Sequence, residues 1–380
     1  MSLYTPAHEE FRKEVRRQIE QHLTPRAQEW EQHGALPKEV FKLLGSFGWF
    51  GLSVPARFGG RGLDFGYDMV LVEELPRSRM MGLSLSFAAQ AYFVIPFLIE
   101  HGSPKQQQEI LPLFLQGDAV AALAATEPTG GTDLTRSVHC TAQEDGDFWV
   151  ISGEKKFITN GPIADYVLTL VRTSRSQGTS GFGLVLVPTD TPGFQVLATL
   201  RTMGMKSSPT GWLRFEECRV PKALTVGKPH LGLLYLMNGL QRERLVTSAS
   251  AISMAALAVE ETIARVRRRQ IYDGPLGDLQ AVRHRIAEMA AHVECCQRFV
   301  RSVAESFRDG HVESKEICMI KFLVMETVQR VIEQCAQLHG AEGYLDDHWI
   351  ARMYRDVRMF TIGGGVSELM KDLVAGYLRI

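Results

Sequence analysis

The hydrophobic positions of the chain are spaced as in helices at both ends and as in strands in the middle. Residues 1–120 show helical spacing interrupted by Gly and Pro, which predicts an N-terminal helical domain. Residues 121–228 contain short stretches rich in Val, Ile, Phe and Thr between turn residues, which predicts a β domain. Helical spacing returns in residues 229–380 and predicts an antiparallel bundle of four long segments, near 232–269, 279–309, 313–339 and 365–379.

The N-terminal stretch predicts a helix capped by Thr5 with Pro6 at its first position. This stretch lacks the apolar run of a signal peptide, so we expect a cytoplasmic protein. Residues 80–99 carry no charge, but their polar side chains and internal proline make a poor bilayer span. We therefore expect a buried core helix there and no membrane insertion.

Composition excludes several classes of function. The 42 basic and 43 acidic residues nearly cancel and form no long block of one sign, so the chain has no electrostatic footprint for nucleic acid. The six cysteines form no CxxC pair, which indicates neither a zinc site nor a disulfide framework and favours a reduced compartment. The chain also lacks the glycine motifs of Rossmann and P-loop nucleotide sites, a GxSxG elbow and an HExxH motif.

One acidic residue of the first long bundle helix calls for an explanation. In Arg242-Glu243-Arg244, a helical wheel places both arginines on the flanks and Glu243 on the apolar face, which also holds Leu236, Leu240, Val246, Ser250, Met254 and Leu257. Ionised carboxylates are rarely buried without a partner or a function. Glu243 is therefore a candidate catalytic acid or base, while an ordinary helix ion pair with Arg244 remains the alternative.

Two stretches of the β domain carry candidate ligand contacts. The loop "AATEPTGGTDLTRS", residues 124–137, offers backbone N–H groups and hydroxyls that suit a phosphate or a polar ring edge, although a plain turn fits it equally well. In "GEKKFITNG", Phe157 and Thr159 alternate onto one face of a predicted strand. By itself, the second pattern is typical of any half-buried strand.

Together and in this order, these stretches resemble the acyl-CoA dehydrogenase family over essentially the whole chain. The resemblance rests on "TEPTGGTD", "KKFITNG", "GMKSSPTGWLRFEECRVP", "RQIYDGPLGDLQ", "QLHGAEGY" and "YRDVRMFTIGGGVSEL". It implies an α+β multidomain fold with an N-terminal helical domain, a central β-barrel-like domain and a C-terminal four-helix bundle. It also implies FAD at the interfaces of a homotetramer or homodimer, an acyl-CoA substrate and an electron-transfer flavoprotein as electron acceptor.

The resemblance assigns cofactor contacts residue by residue. Thr126 would bond the flavin ring edge, Thr132 the pyrophosphate, Phe157 would cover the ring and Thr159 would donate at flavin N5. A second group would hold the pyrophosphate and adenine across the dimer contact: Arg269, Tyr272, Gln337, Gly340 and Ala341. Departures from the family pattern fall at Leu123, Asp273, Ala341 and Val366, and Val366 lacks the hydroxyl that the closing motif normally offers to the cofactor.

The closing motif lacks the expected base. Most family members carry a catalytic Glu there, and this chain has Gly364. Either the chain has lost dehydrogenation, or its base lies on the first bundle helix, as in the isovaleryl and long-chain branches. The "QRERLV" context matches those branches at Glu243, so we predict that Glu243 is the base, that Arg244 orients it, and that the Gly364 N–H stabilises charge on the thioester carbonyl. Glu368 resembles the motif's ordinary helix-capping acid.

Other functions remain open at this point. A related flavoprotein could desaturate an acyl or aminoacyl group on a carrier protein, and no residue in the sequence decides between the two carriers. An oxidase or monooxygenase on the same fold is disfavoured because the closing loop lacks an Asp, and a non-catalytic scaffold is disfavoured by the flavin motifs. Tyr92, Phe93 and Phe97 are predicted to line and shorten the acyl pocket, which would favour a short or branched acyl group, although simple core packing explains each equally well.

Overall fold

Eight helices form the N-terminal part of the protein. The computed structural model describes residues 2–174 and 179–380. These helices are α1 Pro6–Gln18, α2 Ala27–His33, α3 Lys38–Ser46, α4 Phe65–Glu74, α5 Met81–Ala91, α6 Ile95–His101, α7 Pro104–Glu109 and α8 Leu111–Gln116. The first begins at Pro6 with Thr5 at its N-cap, as predicted.

The uncharged stretch predicted as one core helix is two helices, α5 and α6. They are separated by a turn at residues 92–94, because Pro96 cannot donate the hydrogen bond that would continue α5. By length and composition Met81–His101 could cross a membrane, yet 89% of its most apolar window is buried inside the protein. This burial supports the interpretation of the stretch as core.

The middle of the chain forms an eight-stranded sheet. Its strands are β1 Ala121–Ala124, β2 Thr141–Asp145, β3 Phe148–Thr159, β4 Tyr166–Arg172, β5 Phe182–Pro188, β6 Phe194–Thr199, β7 Thr210–Pro221 and β8 Thr225–Val226, with a short helix α9 Leu134–Ser137 between β1 and β2. The order is β6-β7-β3-β2-β4-β5-β8, and β1 pairs with β4 in parallel. Residues alternate between a buried inner face and a more accessible outer one along β3 and β7.

The C-terminal part is the predicted bundle. Its long helices are α10 Gly232–Arg268, α11 Gln280–Arg308 and α12 Ser314–His339, followed by the shorter α13 Trp349–Asp356 and α14 Ser367–Leu378; a hairpin of β9 Gln270–Ile271 and β10 Gly274–Pro275 joins α10 to α11. Helix α10 packs against α11 and α12 and also against α4 of the N-terminal part. The helical parts and a face of the sheet therefore share one hydrophobic core.

A buried loop before β7 joins all three parts. Glu31 of α2 accepts hydrogen bonds from the Ser207 N–H at 3.3 Å and from the Ser207 hydroxyl. Asp356, the last residue of α13, accepts from the Met205 N–H at 2.5 Å. The Leu36 N–H donates to the Ser207 carbonyl at 2.8 Å. The loop from "GMKSSPT" is thus held by two buried carboxylates, one from each helical part.

Asp356→Asn is expected to change the pH dependence of stability. Burial, reinforced by the charge of Glu31, raises the pKa of Asp356 from 3.8 to about 7, although Arg352 and Arg355 oppose the shift. Because the pKa of Asp356 is higher in the folded than in the unfolded protein, its contribution to the free energy of unfolding is fully present below about pH 4. That contribution is lost as the pH rises through about 7. Asn retains the acceptor for Met205 without the charge, so the variant should gain on the order of 2 kcal/mol over the parent near pH 8.5.

Urea unfolding at about pH 5 and about pH 8.5 measures this difference. The advantage of the variant should shrink at the lower pH, where the parent carboxyl is protonated. A variant less stable than the parent at both pH values would contradict the assignment.

Candidate active site

Glu243 lies in the first third of α10, on its apolar face. Five of the six residues that the helical wheel groups with it are buried, namely Leu236, Val246, Ser250, Met254 and Leu257. Leu240 is partly exposed. The wheel therefore predicted the inward face of the helix correctly.

The Glu243 carboxyl is desolvated. The residue as a whole is half-buried, but the carboxyl lies deep enough among protein atoms that burial raises its pKa from 4.5 to about 7; the positive charges of Arg244 and Lys321 act in the opposite direction. In the described part of the chain, Glu243 has no ion-pair partner within 4 Å. The ordinary helix ion pair with Arg244 is therefore absent from the described structure.

The side chain of Arg244 turns inward from the flank on which the wheel places it. It is buried, and its Nε donates to the Gly364 carbonyl at 3.0 Å. The guanidinium packs beside the glycines of the closing turn, where a Cβ at Gly365 would lie 3.4 Å from Arg244 Nη2. Arg244 therefore fixes the turn that faces the base.

The closing turn, residues 362–366, brings Gly364 against Glu243. Gly364 has φ +68° and Gly365 has φ +105°, both in the region that favours glycine. A Cβ at Gly364 would lie 3.1 Å from Glu243 Oε1. The Gly364 N–H has no hydrogen-bond partner among the described residues, so it is free to bind a ligand carbonyl beside the carboxyl.

Lys321 of α12 is a part of this site that the sequence did not indicate. It lies within the apolar run "EICMIKFLVM" and is only 2% exposed. Its ammonium donates to the Phe360 carbonyl, two residues before the closing turn. Only the three-dimensional packing of α12 against α10 places this cation near Glu243.

The loop "TEPTGGTD" at the end of β1 is anchored by a buried ion pair. Lys155 is fully buried, and its Nζ lies 2.8 Å from Glu127 Oε1. Glu127 also accepts from the backbone N–H groups of His139 and Cys140 at 2.8 and 2.9 Å. The sequence analysis missed this pair. The signal that could have revealed it is a lysine at an inward-facing position of a strand.

The two threonines assigned to this loop have different surroundings. The partly buried Thr126 donates its hydroxyl to the Lys156 carbonyl at 2.5 Å, which leaves the hydroxyl oxygen as an acceptor. Thr132 is exposed beyond the two glycines. The fold thus orders Thr126 and presents Thr132 at the surface, and their contacts with FAD stay a prediction.

Phe157 lies at a bulge of β3. The register with β7 shifts between Lys156 and Ile158, and Phe157 has φ +64°. The ring is 63% exposed, whereas Ile158 is buried. Thr159 is partly buried next to it. An aromatic ring held out of the sheet at an unfavourable backbone angle is available to cover a flat ligand.

The second group of assigned cofactor residues lies at the far end of the bundle. All five are exposed, and Tyr272 is 97% exposed: Arg269, Tyr272, Gln337, Gly340 and Ala341. Arg265 joins the ends of α10 and α12 by donating to the His339 carbonyl at 2.8 Å. The fold therefore brings the five residues to one end of the molecule and away from its core.

That end also holds a cavity of about 260 Å³, lined by Glu261, Arg265, Arg268, Arg269, His339, His348 and Trp349. The buried His339 Nδ1 has no partner in the described chain, and neither Arg268 nor Arg269 has an ion-pair partner there. Guanidinium groups in this number suit a pyrophosphate dianion. The chemistry of this end therefore suits a pyrophosphate, and the contacts of these residues with FAD stay a prediction.

The remaining assigned residues belong to the closing motif or to the predicted acyl pocket. Val366 is the N-cap of α14 and Glu368 is exposed in its first turn, where an acid complements the helix dipole. Tyr92 lines a cavity of about 300 Å³ and donates to the buried Asp68 Oδ1 at 3.2 Å. Phe97 packs on α10, where a Cβ at Gly239 would lie 2.5 Å from its ring.

Phe93 is buried, and neither Phe93 nor Phe97 is among the residues that line that cavity. Burial raises the pKa of Asp68 to about 6, and its Oδ2 has no partner among the described residues. The cavity near Tyr92 is therefore polar at its floor.

Three family models together match most of the chain. They are described as acyl-CoA dehydrogenase N-terminal domain, over residues 5–118, middle domain, over 122–218, and C-terminal domain, over 230–378. The mitochondrial long-chain specific acyl-CoA dehydrogenase of Sus scrofa is 32% identical over 375 residues, covering 98% of this chain and 86% of that protein. The mitochondrial isovaleryl-CoA dehydrogenase of Oryza sativa subsp. japonica is 31% identical over 374 residues, covering 98% and 91%.

A crystal structure of an acyl-CoA dehydrogenase from Geobacillus kaustophilus superposes with a TM-score of 0.94 at 32% identity, covering 99% of each chain. The fold and these matches define a flavin-dependent oxidoreductase. The chain belongs to the acyl-CoA dehydrogenase family.

Proposed function

We propose that the protein catalyses FAD-dependent α,β-dehydrogenation of an acyl thioester, giving a trans-2-enoyl product, with Glu243 as the base. The observation that carries the proposal is the Glu243 carboxyl, which is desolvated, has no ion-pair partner in the described chain and faces Gly364. An α-proton of a thioester is too weakly acidic for water to remove. A carboxylate whose pKa is raised toward neutrality is a much stronger base for this step.

The chain's own residues supply the rest of the proton transfer. The free Gly364 N–H would donate to the thioester carbonyl and stabilise the charge that develops as Glu243 takes the α-proton. Arg244 holds the Gly364 carbonyl, which belongs to the following peptide group, and so restrains the turn next to the Gly364 N–H. When bound, FAD supplies the acceptor for the β-hydrogen, which leaves as a hydride.

The residues near Tyr92 support a short or branched acyl group. Phe97, on the helix after Tyr92, is buried, and its ring packs on Gly239, one helical turn before Glu243, so it takes up space near the base that a long hydrocarbon tail would need. Relatives named for long-chain and for isovaleryl substrates match this chain equally well, so identity does not choose between them.

The carrier of the acyl group is the main alternative. A structure described as the prolyl acyl carrier protein oxidase AnaB matches with a TM-score of 0.92 at 26% identity. We propose CoA as the carrier because the curated relatives described above are named for acyl-CoA substrates.

We propose an electron-transfer flavoprotein as the electron acceptor, as the family resemblance implies. A structure described as the electron transferring flavoprotein of Acidaminococcus fermentans matches this chain with a TM-score of 0.95 at 27% identity.

We propose a homo-oligomer, tetramer or dimer, because the highly exposed aromatic residues Tyr272 and Tyr344 lie at the bundle end, where a second subunit would cover them.

Anaerobic titration of the FAD-loaded protein tests the proposal. The panel comprises butyryl-CoA, isovaleryl-CoA, palmitoyl-CoA, and butyryl and prolyl groups on a carrier protein. We expect butyryl- or isovaleryl-CoA to bleach the visible absorbance of the flavin and palmitoyl-CoA to do so poorly. Bleaching by carrier-bound thioesters alone would replace CoA as carrier, and bleaching by no thioester would contradict the proposed reaction.

A further inference from the structure

Lys321 is a buried cation in the middle of a bundle helix. Its neighbours on the inner face of α12, Ile317, Ile320 and Val324, are fully buried. Burying an ammonium in such surroundings is unfavourable unless it is hydrogen-bonded or interacts with an opposite charge. Its one hydrogen bond in the described chain goes to the Phe360 carbonyl, so a second role is open.

The position of Lys321 relative to the base is set by Gly364. A Cβ built on Gly364 would lie 3.1 Å from Glu243 Oε1 and 3.5 Å from Lys321 Cε, so the two side chains flank the same glycine. In the described structure the ammonium does not come within 4 Å of the carboxyl. Lys321 is therefore close enough to act on Glu243 through space without neutralising it by direct contact.

Two cations hold the closing turn from opposite helices. Arg244 of α10 binds the Gly364 carbonyl, and Lys321 of α12 binds the Phe360 carbonyl. The charged groups that act on Glu243 are these two, one from its own helix and one from α12. Cys318, one turn before Lys321 on α12, faces Arg244, and burial raises the pKa of its thiol. The part of the closing turn that faces Glu243 is the backbone of Gly364.

We propose that Lys321 is a positioning residue that keeps Glu243 ionised, and so ready to accept a proton, while it anchors the turn that carries Gly364. The inference rests on the proposed function. Without a nearby positive charge, burial would hold more of the carboxyl in its protonated form, which cannot act as a base.

The titration of Lys321 itself fits this role. Burial lowers its pKa from 10.5 to about 8, while the charge of Glu243 works to raise it. Because the pKa of Glu243 is raised to about 7, the ammonium stays charged over the range in which Glu243 loses its proton. Above about pH 8 the amine becomes neutral, and its influence on the base ends.

Two substitutions separate charge from anchoring. Lys321→Gln keeps a donor for the Phe360 carbonyl and removes the charge, whereas Lys321→Met removes both. The measurement is the pH profile of α-deuterium exchange into isovaleryl-CoA or butyryl-CoA by the FAD-loaded enzyme under anaerobic conditions. Lys371→Gln, which alters an exposed lysine paired with Glu326 on the surface, is the matched control.

We expect the acid limb of both variants to move up by about one pH unit, which is the lower end of the effect of a neighbouring charge. Exchange near pH 6.5 should then fall about tenfold and approach the parent rate above about pH 9, where the parent lysine is also neutral. Lys321→Met should in addition lose activity at every pH because the turn is no longer anchored. Lys371→Gln should retain the parent profile.

An unchanged acid limb in Lys321→Gln would overturn the inference, and that variant decides the test even where Lys321→Met fails to fold. Exchange that is lowered at all pH values in Lys321→Met but equals the parent rate at all pH values in Lys321→Gln would show that Lys321 only anchors the turn. This result would also overturn the inference. The proposed base is tested separately: exchange retained in Glu243→Gln removes the proposed function itself. Exchange lost in Glu243→Gln with parent profiles in both Lys321 variants removes only the inference.

Discussion

Glu243→Gln is expected to lower α-proton exchange and turnover by about 10²–10⁴-fold, the range that a positioned general base contributes. The amide has nearly the shape of the carboxyl but cannot accept the proton. The fold and FAD binding should persist, because Glu243 makes no ion pair in the described structure that the substitution would break. Turnover with an artificial electron acceptor and deuterium exchange measure the loss, and the visible absorbance measures retained FAD.

Glu260→Gln provides the control, because Glu260 lies on the same helix with 66% of its side chain exposed. It should retain the parent rate. Parent-like turnover in Glu243→Gln would move the base elsewhere, and equal losses in both variants would point to a general effect on α10.

Lys155→Met is expected to reduce the free energy of unfolding by about 3–5 kcal/mol, as expected for a buried ion pair that loses one partner. The substitution leaves the Glu127 carboxyl buried with only its two backbone N–H donors. The loop that carries Thr126 should then become less ordered, so FAD binding should weaken as well. Urea unfolding and FAD titration measure the two effects.

Lys222→Met is the matched control, because Lys222 pairs with Glu144 at 2.7 Å on the surface of the same sheet. Removing this exposed pair should cost less than about 1 kcal/mol. The double variant Glu127→Gln/Lys155→Met should be less destabilised than Lys155→Met, since no charge is left unpaired. Equal losses in Lys155→Met and Lys222→Met would contradict the assigned role of burial.

Patterns in the chain predicted the fold where elements are long. The five stretches of the β domain rich in Val, Ile, Phe and Thr, at 147–161, 164–173, 181–190, 193–199 and 211–221, appear as β3 to β7, and the four bundle segments appear as α10, α11, α12 and α14. Strands β1 and β8 were missed because four or two residues are too few to show a period of two, and their existence depends on pairing with β4 and β5. Strand β2 was missed because it is mostly polar, with only Ala142 buried. Helix α13 was missed because its eight residues lie in an irregular stretch between two motifs.

The candidate site was predictable only in part. Glu243 could be found because an acid on an apolar helix face violates the pattern within one element. Lys321 also breaks an apolar run, but which groups it meets depends on how α12 packs on α10 and on the path of the closing turn. The inward position of Arg244 depends on a hydrogen bond to the Gly364 carbonyl, 120 residues later in the chain.

The β-domain loop shows a further limit. Residues 124–137 suited a turn and a ligand loop equally well; the structure shows how the loop is held, and its contacts with a ligand stay a prediction. Glu127 forms a buried ion pair with Lys155, while Thr132 remains exposed. Alternation along β3 placed Lys155 on a face, but the sequence could not show that its partner comes from the loop before β2.

The contact between Gly364 and Glu243 constrains how this protein can evolve. A side chain at position 364 would meet the carboxylate, since a Cβ there lies 3.1 Å from Oε1. An acid at one position is therefore compatible with glycine at the other, and mutations at the two sites are epistatic. A lineage that moves its acid between these sites must pass through an intermediate with a crowded pocket or with no acid at all.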